Sequence, residues 1–158
     1  MRDKRFIAQH REGTLTKEHH FQMLLWSCLC AEHSFTLIAD KIDLILINAL
    51  TIGRNWTQGL SSVGDARKAS VECHSLAREL SNPVDIAIAR ACGHAVATAH
   101  MADHSLGGAI YSLKAFKFTG QSIEIEREWQ NDQLPLEISE FILFTRTQKE
   151  QVFKSLRN

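Results

Sequence analysis

Gly93-His94-Ala95-Val96-Ala97-Thr98-Ala99-His100-Met101-Ala102-Asp103-His104-Ser105-Leu106-Gly107-Gly108-Ala109 is the stretch on which the fold turns. Its apolar positions recur at helical spacing, Ala91, Ala95, Ala99, Ala102, Leu106, Ile110 and Leu113 on one side. A second and nearly opposite line runs through Gly93, Ala97, His100, His104, Gly107 and Tyr111. A helix with small or apolar residues on both sides is buried all round. Three histidines and an aspartate inside such a run must find partners, because buried polar groups are hydrogen-bonded.

Outward from this tract the chain reads as helices separated by short breaks. Pro83 fits the first turn of the helix that carries the tract, since its missing N–H is not needed there. That helix is expected to continue towards Phe116, with Gly120 ending the segment. Upstream, Thr16 is a cap for a first helix reaching about Asp40, and a second helix from about Asp43 to Gln58 is closed by Gly59. A third opens at Ser62 or Gly64 and ends near Ser81-Asn82. Downstream, a shorter helix spans about Ser122 to Gln133, is stopped by Pro135, and is followed by one from about Leu136 to Phe153. Residues 1–15 are an irregular lead-in. The expected fold is all-α: a single domain over 1–158 with four long helices and two shorter C-terminal ones.

The bulk composition narrows the function. With 18 basic and 18 acidic residues the formal net charge is zero, which argues against a general nucleic-acid or membrane-surface binder and permits self-association into a homo-oligomer. No apolar run approaches the roughly 18 residues of a membrane span. Met1-Arg2-Asp3-Lys4-Arg5 is followed by only three apolar residues, so no signal peptide is expected. Cys28, Cys30, Cys73 and Cys92 form no Cys-x-x-Cys pair. The chain is therefore expected in the cytoplasm with reduced thiols and without a cofactor.

Helical periodicity assigns the polar residues to faces. In the first helix Phe21, Leu25, Cys28, Glu32, Phe35 and Ala39 form a stripe with Glu32 near its middle. A buried carboxylate needs a partner. The third helix carries Arg67, Val71, His74 and Arg78 on one flank, the natural source of cations for Glu32 and Asp103. His33 shares another face with Trp26 and Cys30. Glu32, Arg67, His94, His100, Asp103 and His104 are thus expected to form one buried polar network, with His33 and His74 as further candidates.

Two kinds of chemistry compete with that structural role. His100 and His104 stand four apart and can bind one metal ion from a single helix, with Glu32, His33 or His74 as a third ligand. Met101 stands where His-Glu-x-x-His would need glutamate. Cys30 and His33 at i and i+3 are a conceivable thiolate pair. Trp26, Trp56 and Trp129 complete the core, with interface anchoring as the alternative for Trp56 and Trp129. Glu124 to Glu128 reads as a solvated helix face.

The residues also carry a resemblance. His10-Arg11, Trp26 with Cys30-Ala31-Glu32-His33, Arg54-Asn55-Trp56-Thr57-Gln58-Gly59, Ala66-Arg67-Lys68-Ala69, the central tract, Glu126-Arg127-Glu128-Trp129-Gln130 and Leu134-Pro135 together make the chain similar to the immunity proteins of bacterial polymorphic-toxin systems, the immunity-protein-five-like, all-α group. The resemblance covers about residues 9 to 136. It implies a non-enzymatic protein that neutralises a cognate toxin in a complex. The alternative is a small metal-dependent hydrolase using His100 and His104. The chain departs from the family where a polar Asp-x-Arg-Pro-Arg is replaced by Asp43-Leu44-Ile45-Leu46-Ile47, which should make the second helix bury more.

Overall fold

A computed structural model describes residues 2–38 and 41–152. Seven α-helices occur among these residues: α1 (Lys17–His33), α2 (Leu44–Trp56), α3 (Val63–Glu79), α4 (Pro83–Ala97), α5 (His104–Phe118), α6 (Ile123–Asp132) and α7 (Leu136–Val152). The all-α class expected from periodicity is the class found. None of these helices is long and apolar enough to cross a membrane. The expected ends at Asp40 and Phe153, and Ala39 of the first stripe, lie outside the described residues.

The helix starts are set by local chemistry. Thr16, Asp43, Ser62, Asn82 and Ser122 each turn a side-chain oxygen onto a backbone N–H of the first turn. Ser62 and Asp65 do so reciprocally, as a capping box. Pro83 takes the first position of α4. Gly59 adopts φ +74, a left-handed conformation that glycine reaches without strain, in the turn after α2.

The main departure concerns the central tract. It is two helices joined by a turn at Thr98–Asp103, so the fourth long helix expected from Pro83 to Phe116 does not exist. No proline or glycine makes the break. The turn is stitched by Met101 N–H to Ala97 C=O and His104 N–H to Met101 C=O. Packing decides it. A helix from Pro83 to Phe116 would be about 50 Å long, too long for a chain whose radius of gyration should be about 15 Å. Folded back, α4 and α5 pack along their small residues as a hairpin. α4 then lies at the centre, against α1, α2, α3 and α5.

α6 packs on α5, and α7 on α1 and α5. Met23, Leu24, Trp26, Cys28, Ile88, Val96, Leu106, Leu113, Ile138 and Ile142 are buried across the layers. The lead-in folds into two short 3-10 turns, Lys4–Phe6 and Gln9–Arg11, closed by a bridge from Ala8 to Leu15. α1 ends earlier than expected, where Ser34 Oγ donates to Ala31 C=O and a 3-10 turn takes over.

Candidate functional site

The histidines of the tract and of α3 meet in a ladder. His94 Nδ1 and His104 Nδ1 are 3.1 Å apart, one donating to the other. The His74 ring lies 5.2 Å from that of His94, His100 lies 5.3 Å from His104, and Tyr111 stacks on His94 at 5.1 Å. The glycines make room for this. A Cβ on Gly93 would stand 2.7 Å from His74 Nε2, and one on Gly107 would stand 2.7 Å from His94 Nδ1. Gly108 plays the same part for Ser27, whose hydroxyl donates to Ser105 C=O at 2.8 Å. The small residues thus seat imidazoles as well as backbones.

The ladder is built to stay neutral. Arg90 Nη1 donates to His74 Nδ1 at 2.8 Å, which requires a free lone pair on that nitrogen. Burial, then the neighbouring imidazoles and Arg90, pull His94 down to about 3; burial and Arg90 pull His74 down to about 4. His104 and His100 are also lowered, by burial first. His100 Nδ1 has no hydrogen-bond partner among the described residues. Because His100 belongs to the turn and His104 to α5, they are not ligands from one helix. Among the described residues no group of three or more His, Cys, Asp or Glu side chains could hold a metal ion.

The single network expected around the ladder is in fact several. Glu32 is not buried: its side chain is 47% exposed and pairs with Arg54 of α2 at 2.8 Å, not with α3. With Leu-Leu-Trp-Ser-Cys-Leu-Cys running through α1, the wheel has little directional preference. The buried face passes through Leu24, Ser27, Cys28 and Ala31, leaving Leu25 and Glu32 to solvent. Asp103 pairs with Arg2 of the lead-in at 2.7 Å. Arg67 is exposed and in no ion pair among the described residues.

His33 belongs to a different network, centred on α6 and α7. Its Nδ1 lies 2.9 Å from Glu126 Oε1, and its ring stacks on Trp129 at 3.6 Å. Gln130 Nε2 donates to Ala109 C=O and to Glu126. Arg146, only 2% exposed, donates to Gln130 Oε1, to Asn131 at 2.9 Å and to Glu150 at 3.0 Å, and Arg127 holds the other oxygen of Glu150. Glu126 is 3% exposed, so the expected solvated face of Glu124 to Glu128 is buried at this residue. The signal was there: Ile123, Glu126, Gln130 and Leu134 fall on one helical stripe. Burial raises Glu126, while His33 opposes that shift.

The cysteines are buried and unpaired. Burial pushes Cys28 and Cys73 up to about 12 and Cys30 and Cys92 up as well, so Cys30 is a protonated core thiol and not a partner of His33.

A cleft of about 1120 Å³ opens beside the ladder. The lead-in, the start of α1, the α2–α3 junction and the Thr98–Asp103 turn enclose it. Trp56 lines it, edge-on to His20 at 4.8 Å and to Phe21 at 5.0 Å. His20 Nε2 in turn donates to Thr98 C=O at 2.6 Å, tying α1 to the turn. Arg67 and His100 both line this cleft, and neither joins a bond to Glu32 or Asp103. Trp129 lines a smaller pocket of about 300 Å³ with His33.

A model of the family described as Imm-5 like putative immunity protein matches residues 13–137. The chain belongs to that family. The match runs from the lead-in through Pro135 and contains α1 to α6, the whole ladder and most of the cleft. It agrees with the span over which the sequence resembles the group. Membership in an immunity family implies a toxin partner in general. No curated protein and no solved structure matches the chain. At the family's departure, Asp43 caps α2, Ile45 and Leu46 pack inward, and Leu44 and Ile47 are exposed. The added burial is therefore confined to Ile45 and Leu46, two of the three replaced positions.

Proposed function

We propose that this chain is a non-enzymatic immunity protein that neutralises a cognate bacterial toxin by forming a complex with it. The observation that carries this is the family match across residues 13–137. The chemistry of the tract supports it. His74 Nδ1 accepts from Arg90, and His94 and His104 share a hydrogen bond through Nδ1, so these rings are engaged in holding α3, α4 and α5 together. The four unpaired cysteines support a reducing, cytoplasmic setting.

The test is co-expression with the toxin encoded beside this chain's gene, followed by purification through a tag on the toxin. Growth should be restored and the two chains should elute together. Growth arrest that persists at full expression of this chain, with no co-purification, overturns the proposal.

A further inference from the structure

We propose that the cleft beside Trp56 is the face that receives an acidic segment of the protein partner. This rests on the reading of the chain as an immunity protein and adds where the partner binds and what chemistry it brings.

The charge of the cleft carries the inference. Acidic and basic residues are equal over the whole chain, 18 each. Yet among the described residues no aspartate or glutamate lines the cleft, while Arg2, Arg11, Lys17 and Arg67 all do. His10, His20 and His100 line it too, but burial holds His20 and His100 towards the neutral form, so the charge comes from the arginines and the lysine. Arg2 is bonded to Asp103; Arg11, Lys17 and Arg67 are exposed and in no ion pair among the described residues. The N-terminal ends of α1 and α3 add to the same sign, since Thr16, Lys17, Ser62 and Val63 lie on the lining. Three segments distant in sequence therefore converge to make one cationic concavity in a neutral chain.

Its size and its apolar content point to a polypeptide. About 1120 Å³ exceeds the roughly 300–1000 Å³ of small-molecule pockets. Phe21 and the half-buried Trp56 offer the aromatic anchors that dominate protein interfaces. The surrounding arginines supply complementarity, which governs encounter rate and rejection of wrong partners. Surfaces that hold nucleic acid are basic, and such a surface would be repelled here. A toxin docked in this cleft is therefore gripped through an acidic face, not through a nucleic-acid-binding one.

The test uses the full chain and two probes: the neighbour-encoded toxin, and a fluorescein-labelled octaglutamate peptide followed by anisotropy. Arg11→Glu/Arg67→Glu should weaken toxin binding by about tenfold or more, most at low salt, while the exposed Lys41→Glu outside the cleft changes it by less than about twofold. The peptide should bind the native chain and not the double variant. Circular dichroism confirms that the variants are folded; if the double variant is not, Arg67→Gln alone should give the weaker form of the same loss. Undiminished toxin binding by folded Arg11→Glu/Arg67→Glu overturns the cleft assignment and leaves the immunity reading standing. Absence of any complex with the native chain overturns that reading, and the peptide arm then decides the chemistry of the cleft alone. Tighter binding of ATP than of the peptide overturns the acidic-segment proposal in favour of a nucleotide.

Discussion

Two polar clusters pack against α5, one half-buried and one buried, and they solve the cost of burial in opposite ways. The ladder of His74, His94 and His104 is uncharged, and it fits because Gly93 and Gly107 leave room for the rings. The cluster of Glu126, Gln130, Arg146 and Glu150 is charged and survives by engaging all three nitrogens of one guanidinium. The first depends on space and on the absence of protons. The second depends on mutual pairing. Loss of a partner should therefore hurt the second most, and loss of space or a fall in pH should hurt the first.

The largest effect is expected at Arg146. Arg146→Ala leaves Glu150 and Gln130 without their partner and should cost about 3–5 kcal/mol, read as a fall in Tm of about 10 °C or more. A change of a degree or two would mean that the cluster is not load-sharing and would remove the contrast. Next comes space: Gly107→Val drives two methyl groups toward the His94 ring and should cost about 1–3 kcal/mol. In a His94→Ala background most of that cost should vanish, because the ring that clashes is gone. Equal costs in both backgrounds would place the strain elsewhere.

The third effect is protonic. Unfolded imidazoles take up a proton near pH 6.5, whereas folding holds His94 down to about 3 and His74 to about 4. Between those limits the unfolded chain binds more protons. Stability is thus full above about pH 6.5 and declines as the pH falls towards 4, by about 1–2 kcal/mol at pH 5 after allowing for partial exposure. Chemical denaturation across this range checks it, and His94→Asn should flatten the slope. A stability that rises on acidification from pH 7 to pH 5 would show that the ladder is charged.

The smallest effect is expected at Glu32. Its pair with Arg54 is half exposed, and Glu32→Ala should cost less than about 1 kcal/mol. The Glu32–Arg54 and Arg146–Glu150 pairs are alike in distance, 2.8 and 3.0 Å, and burial alone should separate them by several kcal/mol, about 3–5 against less than about 1.

The same two clusters explain what was legible beforehand. Helix starts were readable because Thr16, Ser62 and Pro83 act on their own backbone within three residues. The ladder was partly readable because His94, His100 and His104 fall in one tract. The turn at Thr98–Asp103 was not, since Ala99, Met101 and Ala102 favour a helix locally and only the packing of α4 on α5 decides against it. Glu32 was misplaced because α1 is apolar on nearly every side. The Arg146 cluster drew on residues 33, 126, 130, 146 and 150, a combination that no local window contains. The cleft likewise needed the lead-in folded against the α2–α3 junction before its charge could be seen.

Protection by binding and protection by catalysis differ most directly in stoichiometry. The purified chain should be titrated into a fixed amount of the neighbour-encoded toxin and the toxin's remaining activity measured. For a binding protein, activity falls in proportion to the chain added and reaches zero at a fixed molar ratio that does not change with time. Complete inactivation by a small fraction of one equivalent, deepening on longer incubation and lost in folded His104→Asn, would contradict it and return the histidines to chemistry.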